Sequence, residues 1–185
     1  MSAYSILDNG WLQPCASVSH CPSPNFDHRT EAPSLLVIHN ISLPPGQFGN
    51  GYIHDLFCNQ LDAQAHPYFA DIAQLKVSAH GLIDRQGHVT QFVGFNDRAW
   101  HAGVSCYAGR SQCNDFSIGI ELEGTDDEAY TDQQYQQLTA LTRALLDYYP
   151  TLNTEHITGH SDIAPGRKTD PGPAFDWSLY HRLLA

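Results

Sequence analysis

Four aliphatic residues, Leu-Leu-Val-Ile at positions 35–38, run directly into a histidine at position 39. A short apolar run bounded by polar groups is typical of a buried β-strand. A second run with imperfect alternation, residues 116–122, has the same character and carries Glu121. The two runs predict buried strands, and His39 is expected at the end of the first, where a ligand is rigidly placed.

One long helix is predicted at residues 132–148. Thr131 and Gln134 have the T-x-x-Q spacing of a capping box, which marks the start of a helix. Apolar residues then recur on one helical face. A short C-terminal helix is predicted to be capped by Asp176 and to run through Leu184.

Two further strands are predicted at residues 77–83 and 88–93, with a hairpin turn in the four residues between them. Gly87 would supply the positive φ angle that such a turn uses. Four prolines break any periodicity in residues 1–33, so we expect irregular structure there, and a long polar and aromatic loop is expected from residue 44 onward. Strands mixed with helices in 185 residues indicate one layered α/β domain.

The chain is acidic, with a formal net charge of -11 and a pI near 5.2. Nucleic acids and anionic membranes select basic surfaces, so neither is an expected partner. No apolar run approaches the ~18 residues of a membrane span. The first residues have neither the basic nor the apolar region of a signal peptide. The expected location is therefore the cytoplasm.

Five cysteines are present, an odd number, and no two of them form a C-x-x-C pair. This pattern disfavours a disulfide framework and a cysteine-based zinc site. Reduced thiols are expected, as in most cytosolic proteins. Whether Cys106 and Cys113 lie close in space is left open.

Eleven histidines are present, although a single histidine is more often a surface or hydrogen-bonded core residue than a metal ligand. His39, His160 and Asp170 stand out, because the first ends a strand and the other two belong to a loop rich in proline, glycine and charge. Two imidazoles, one carboxylate and an open fourth position describe a catalytic zinc site. Spacing alone leaves four competitors open: His80, Asp84, His101 and Asp162.

Three segments carry a resemblance to one known family: residues 33–46 (PSLLVIHNISLPPG), 114–124 (NDFSIGIELEG) and 158–173 (TGHSDIAPGRKTDPGP). They resemble the type 2 N-acetylmuramoyl-L-alanine amidases, which are related to phage amidases and peptidoglycan recognition proteins. The similarity covers nearly the whole chain, from Gly10-Trp11-Leu12 to Phe175-Asp176-Trp177. It implies an α/β fold in a single domain, residues 1–185, with a central mixed β-sheet flanked by helices.

The resemblance also implies roles for individual residues. His39, His160 and Asp170 match the family's zinc ligands, which implies one Zn²⁺ per chain. Glu121 matches its catalytic glutamate and Lys168 its catalytic lysine, although each residue by itself would be interpreted as an ordinary surface charge. Segments that line or border the family's substrate groove contain Asn40, Lys76, Trp100, His101, Ala102, Gly103 and Arg110.

Two departures from the family pattern concern the peptide contacts. Lys76 and Gln112 stand where close relatives carry arginine, which affects the expected contacts with a stem peptide but not the zinc chemistry. The segment Trp100-His101-Ala102-Gly103 fits core packing plus a turn as well as it fits a groove wall, where an aromatic face stacks on a sugar ring.

The function implied by the resemblance is zinc-dependent hydrolysis of the amide bond between 1,6-anhydro-N-acetylmuramic acid and L-alanine. Its setting would be peptidoglycan recycling, with indirect control of β-lactamase induction. The expected partner is a small soluble muropeptide, and the expected state is a monomer. A non-catalytic peptidoglycan-binding module is disfavoured because all three ligand positions and both catalytic positions are filled. A secreted amidase that acts on intact wall is disfavoured by the apparent lack of a signal peptide.

Overall fold

Two long parallel strands form the centre of the computed structural model, which describes residues 4–185. Strand β3 spans Leu35–Ile41 and strand β9 spans Ser117–Glu123. They pair along their whole length, from Leu35 opposite Ser117 to Ile41 opposite Glu123. Both predicted central strands are therefore confirmed, although β3 continues two residues beyond His39.

Four shorter strands complete a six-stranded sheet in the order β1-β5-β4-β9-β3-β10. They are β1 (Val18–His20), β4 (Gly81–Ile83), β5 (Val89–Gln91) and β10 (Ile157–Gly159). Strands β4 and β5 pair antiparallel, whereas every other neighbouring pair in this sheet is parallel. The sheet is mixed, and the predicted fold class, an α/β domain with a central mixed sheet flanked by helices, is confirmed.

The predicted hairpin between β4 and β5 is present. Gly87 has a φ of +84°, and its amide donates to the carbonyl of Asp84. Both strands are shorter than the runs 77–83 and 88–93 suggested. The first begins late because Ser78 donates its amide to the carbonyl of Trp100, outside the sheet.

Two helices cover one face of the sheet. Helix α2 spans Asp132–Tyr148 as predicted, and the capping box of Thr131 and Gln134 is formed in both directions. The C-terminal helix, labelled α4 below, spans Trp177–Leu184, and the Asp176 side chain accepts from the amide of Leu179 as its cap. Their apolar faces pack against the even-numbered residues of the central strands in the main core: Leu36, Ile38, Ile118, Ile120 and Leu122.

The other face of the sheet carries the irregular segments. Helix α1 (Tyr52–Phe57) and a short 3-10 helix (Pro67–Asp71) pack there, within the segment predicted to be a long loop. Helix α3 is a single turn, His160–Ile163, directly after β10. Because side chains alternate along a strand, this face receives His39 and Glu121 and the even face does not.

The expectation of irregular structure in residues 1–33 is wrong within the described part, residues 4–33. Strand β1 pairs with β5, and β2 (Phe26–His28) pairs with β6 (Asp97–Ala99). These strands have three residues each, so their pairing depends on partners some 70 positions away and leaves almost no local pattern. The remaining strands, β7 (Cys106–Tyr107) and β8 (Arg110–Ser111), form a two-residue ladder.

All five cysteines lie within the described residues and are free thiols. The two sulfur atoms that approach each other belong to Cys21 and Cys58, with Sγ atoms 3.5 Å apart. Burial, together with the contact to Cys21, raises the pKa of the Cys58 thiol to about 12. Among helices of residues 4–185, none combines the length and hydrophobicity that a bilayer crossing requires.

Candidate metal centre

Three neighbouring parallel strands bring the candidate residues together. Gly159, the last residue of β10, is the register partner of Ile38 on β3. His160 follows immediately, so it lies beside His39. On the opposite side of β3, Glu121 of β9 is the direct register partner of His39. Partners in a parallel ladder point to the same face, which places both imidazoles and the carboxylate in one cleft.

The two imidazoles and Asp170 form a nearly equilateral triangle of ligand atoms. His39 Nδ1 lies 3.0 Å from His160 Nδ1 and 3.1 Å from Asp170 Oδ2. The third side, from His160 Nδ1 to Asp170 Oδ2, is 3.0 Å. Both histidines are almost completely buried, and the Asp170 side chain is 13% exposed.

The hydrogen bond made by His160 Nε2 determines whether His160 Nδ1 carries a proton or a lone pair. His160 Nε2 lies 3.1 Å from the carbonyl oxygen of Ala102, which can only accept a hydrogen bond. The proton of the neutral ring therefore sits on Nε2, and Nδ1 presents a lone pair to the triangle. Burial lowers the pKa of His39 to about 4, so this ring is neutral at neutral pH.

The loop that carries Asp170 is fastened on both sides of the carboxylate. The Ser161 amide donates to the carbonyl of Asp170 at 2.9 Å. The next carbonyl, that of Pro171, accepts from Asn40 Nδ2 at 3.1 Å and from the Tyr130 hydroxyl at 2.7 Å. Burial alone would raise the pKa of Asp170, but the proximity of His160 and His39 outweighs that effect and holds the pKa well below its ordinary value. The group is a carboxylate.

Two imidazole lone pairs and a carboxylate oxygen about 3 Å apart repel one another unless a cation or a proton lies between them. All three atoms lie within the 4.8 Å separation that a single ion can bridge. Nitrogen and oxygen donors of this kind, three in number with an open side toward a cleft, match a catalytic zinc site. The residues present therefore fit the metal that the resemblance implies.

Glu121 is a buried acid with an unsatisfied oxygen. It is 8% exposed, and its Oε2 has no hydrogen-bond partner among residues 4–185. Burial raises its pKa well above the usual value, and the nearby Asp170 charge adds to the rise, while Lys168 opposes it. A buried carboxyl with a raised pKa beside a metal-type ligand set is the usual arrangement of a general acid–base residue.

A cleft of about 630 Å³ opens above this face of the sheet. His39, His160, Asp170 and Glu121 line it, and so do four more of the predicted residues: Asn40, Trp100, His101 and Lys168. One part of its wall is apolar and was missed by sequence reasoning: Leu43, Leu56, Phe57, Tyr68, Ile72 and Leu75. The signal available in the sequence was the unusual number of large apolar residues in a segment predicted to be a loop.

Four predicted substrate-groove residues lie outside the cleft lining, and one of them, Gly103, is exposed with a φ of +58°. Lys76 is exposed, although Leu75 and Val77 on either side of it line the cleft. Ala102 is fully buried, and only its backbone reaches the site, through the bond to His160. Arg110 lies by a separate small cavity, stacks on Phe116 and pairs with Glu31 at 2.8 Å. Their substrate roles stay predictions. Gln112, the other departure, is exposed and has a φ of +59°.

Residues 29–173 match the family described as N-acetylmuramoyl-L-alanine amidase, a span that contains the three triangle residues, Glu121 and Lys168. The chain belongs to this amidase family. Its relatives include the 1,6-anhydro-N-acetylmuramyl-L-alanine amidase AmpD of Escherichia coli K12, which is 60% identical over 182 residues, 97% of each chain.

Solved structures of this amidase family share the fold. A crystal structure of a selenomethionine AmpD derivative superposes with a TM-score of 0.92 at 59% identity, covering 97% of this chain and 99% of that one. AmpDh3 from Pseudomonas aeruginosa, solved in complex with anhydromuramic pentapeptide, has a TM-score of 0.60 at 30% identity and covers 82% of this chain and 59% of that one. The resemblance seen in the sequence segments is confirmed.

Proposed function

We propose that this amidase is a zinc-dependent hydrolase that cuts the amide bond between 1,6-anhydro-N-acetylmuramic acid and L-alanine. The proposal rests on the triangle of His39, His160 and Asp170 with the buried Glu121 in the same cleft. Within residues 4–185, Oε2 of Glu121 has no hydrogen-bond partner. The substrate class follows the activity for which the Escherichia coli relative is named and the anhydromuramic ligand of the Pseudomonas protein. Peptidoglycan recycling, an influence on β-lactamase induction, a cytoplasmic location and a monomeric state stay predictions.

Three residues would hold the metal: His39 and His160 through Nδ1, and Asp170 through Oδ2. Zinc in that position supplies a Lewis acid for a substrate carbonyl oxygen and a lowered pKa for water. The protein contributes the orientation of these ligands, because both rings are buried and the Asp170 loop is fastened by Asn40 and Tyr130.

Glu121 transfers a proton from the attacking water to the leaving amine. Attack of water on the lactyl carbonyl releases a proton, and the departing amine of L-alanine needs one. Glu121 accepts the first proton on its free carboxylate oxygen and returns it to the nitrogen as the C–N bond breaks. The raised pKa makes it a stronger base than an exposed glutamate and suits it to both steps.

Lys168 stabilises the negative charge that develops on the carbonyl oxygen. It lines the cleft two residues before Asp170, and a protonated ammonium has no lone pair for a metal. We expect Lys168→Ala to keep zinc and the fold while lowering kcat roughly 10²–10³-fold, the usual effect of losing one oxyanion donor. KM should change far less.

Steady-state kinetics and metal analysis on the same preparation test this role of Lys168. Lys168→Arg keeps a cation at the position and should recover part of kcat. Loss of zinc in Lys168→Ala would make the lysine a structural part of the metal centre. A raised KM with an unchanged kcat would instead mean that it holds the substrate's carboxylates.

The apolar wall and Trp100 suit a bulky amphipathic substrate. Trp100 offers an aromatic face for a sugar ring, and the indole nitrogen is already bonded to Asp27 at 3.1 Å, which holds the ring in place. The polar end of the cleft, which contains the metal ligands, would then bind the amide group of the substrate. A cleft of about 630 Å³ has the volume of an ordinary small-molecule site, as expected for a soluble muropeptide.

Mass spectrometry of a muropeptide digest tests the proposed function directly. Incubation of the zinc-loaded enzyme with soluble anhydromuropeptide should release the anhydro sugar and a peptide that begins with L-alanine. Intact sacculi, offered in parallel, should be cut far more slowly. A cut glycosidic bond, or a cut inside the peptide, would exclude the proposed reaction. Binding without any product would favour a recognition module.

A further inference from the structure

The ring of His101 lies directly behind the metal ligand His39. His101 Nδ1 is 2.8 Å from His39 Nε2, and the two rings meet edge to face with centroids 4.9 Å apart. The other nitrogen, His101 Nε2, is 3.1 Å from the Ser117 hydroxyl. Both ring nitrogens are therefore engaged within the protein, which leaves neither free to bind a substrate.

The contact with His101 supplies the acceptor that the metal-binding tautomer of His39 requires. A lone pair on His39 Nδ1 requires the proton on Nε2, and the atom next to Nε2 is His101 Nδ1. His101 Nδ1 then accepts, so its own proton sits on Nε2 and is donated to Ser117 Oγ. The proton chain runs in one direction, from His39 through His101 to Ser117.

A glycine in the middle of β9 makes room for this ring. A Cβ atom at Gly119 would lie 2.4 Å from both Cγ and Nδ1 of His101, closer than any side chain tolerates. Glycine in a strand interior weakens the strand and often marks a close approach. The group that approaches Gly119 closely is the imidazole of His101.

The backbone at the same point holds the second imidazole. Ala102, the next residue, provides the carbonyl that accepts from His160 Nε2. The side-chain oxygen of Asn114 accepts from the amides of His101 at 3.2 Å and Ala102 at 2.8 Å, which fixes the segment. Two consecutive residues thus orient the two metal histidines.

We propose that His101, which packs against Gly119, is a positioning residue that fixes the tautomer and orientation of His39 for metal binding. This inference rests on the proposed zinc site. It differs from the groove-wall role expected for His101 from the sequence, because it predicts an effect on metal affinity in the absence of any substrate.

Zinc affinity, measured by competition with a chromogenic chelator, tests the role of His101. His101→Phe keeps a ring but removes the acceptor, and we expect it to weaken zinc binding roughly 10–100-fold, the usual effect of losing an outer hydrogen bond to a ligand. His101→Asn places an amide oxygen near the position of Nδ1 and should restore affinity to within a few-fold of the native protein. His28→Phe, at a side chain that is 96% exposed, should leave affinity unchanged.

Kinetics at saturating zinc separate positioning from substrate contact. If His101 positions the metal, added zinc should restore much of the activity of His101→Phe, with KM near the native value. Unchanged zinc affinity in His101→Phe, combined with a raised KM, would overturn the inference and make His101 a groove residue. Failure of the native protein to bind zinc would instead overturn the proposed function, so the two failures are distinguishable.

Gly119→Ala, made both in the native protein and in a His101→Ala variant, tests separately whether Gly119 makes room for the His101 ring. Gly119→Ala in the native protein should lower Tm and zinc affinity, because the new methyl group collides with the imidazole. The same substitution in a His101→Ala background should cost much less in Tm, since the ring that it collides with is gone. Equal losses of Tm in the native protein and in the His101→Ala variant would show that Gly119 is needed for the strand itself and not for packing of the His101 ring.

Discussion

Glu121→Gln should lower kcat by roughly 10²–10⁴-fold, the usual contribution of a general acid–base residue, while the protein keeps its zinc. Glutamine has the shape of glutamate but neither accepts nor returns a proton at neutral pH. The side chain is not one of the three ligand atoms, so metal binding should persist. Steady-state kinetics with zinc quantified in the same sample measure both effects.

The stability of the metal-free protein provides an independent readout for Glu121. Its pKa is raised in the folded state, so the folded protein loses stability as the pH rises through that pKa and a buried charge forms. Glu121→Gln removes the ionisable group and with it this loss of stability. It should raise the Tm of the metal-free protein at neutral pH, and the gain should shrink at acidic pH, where glutamate in the unfolded chain is protonated as well.

Glu123→Gln is the matched control, two positions along the same strand. The Glu123 carboxylate is buried but absent from the cleft lining, and it accepts from the amides of Gly49 at 2.7 Å and Arg85 at 3.3 Å. The control should lower Tm by weakening these bonds and keep kcat within a few-fold of the native value. A Glu121→Gln enzyme with native kcat would remove Glu121 from the mechanism.

His160→Ala should abolish zinc binding and reduce hydrolysis to background. One of the three ligand atoms is lost, and the remaining imidazole and carboxylate no longer enclose an ion. Metal analysis of the purified variant should find no zinc, whereas the native protein should hold about one ion per chain, in keeping with a three-ligand mononuclear site.

Thermal unfolding checks the same prediction without an activity assay. A ligand present at 1,000 times its Kd stabilises the folded state by about 4.1 kcal/mol, so chelation should lower the Tm of the native protein. His160→Ala should show no such shift. His156→Ala should respond to chelator like the native protein, because this ring contacts Tyr107 at 3.0 Å by a separate cavity. Full hydrolytic activity in a metal-free native preparation would refute the zinc mechanism.

Local signals in the sequence were sufficient for the central elements. The apolar runs predicted β3 and β9 because strands buried on both faces are almost continuously apolar. The capping box predicted the first turn of α2 because that motif satisfies the free amides of a helix start within four residues. Edge strands β1 and β2 escaped prediction, since their partners lie far along the chain and three residues are too few for a pattern.

The candidate site was predicted only in part for a related reason. Resemblance decided for the triangle residues, which spacing alone left among competitors such as His80. It also selected Glu121 and Lys168. The structure gives His80 a different role: it accepts the Gly119 amide at 3.0 Å through Nδ1, and its Nε2 lies 3.0 Å from the Asp97 carbonyl. Its pKa is lowered to about 3, chiefly by burial, as for a neutral core histidine.

The sequence by itself thus determined which segments become strands and helices at the centre, and which residue types were available for zinc chemistry. Only the tertiary structure decided that β10 lies beside β3, which puts His160 next to His39, and that Arg110 lies away from the cleft. It also decided which nitrogen of each imidazole faces the metal position. Strand order and hydrogen-bond partners depend on contacts between residues far apart in the chain, and such contacts leave no periodic trace in the residues that make them.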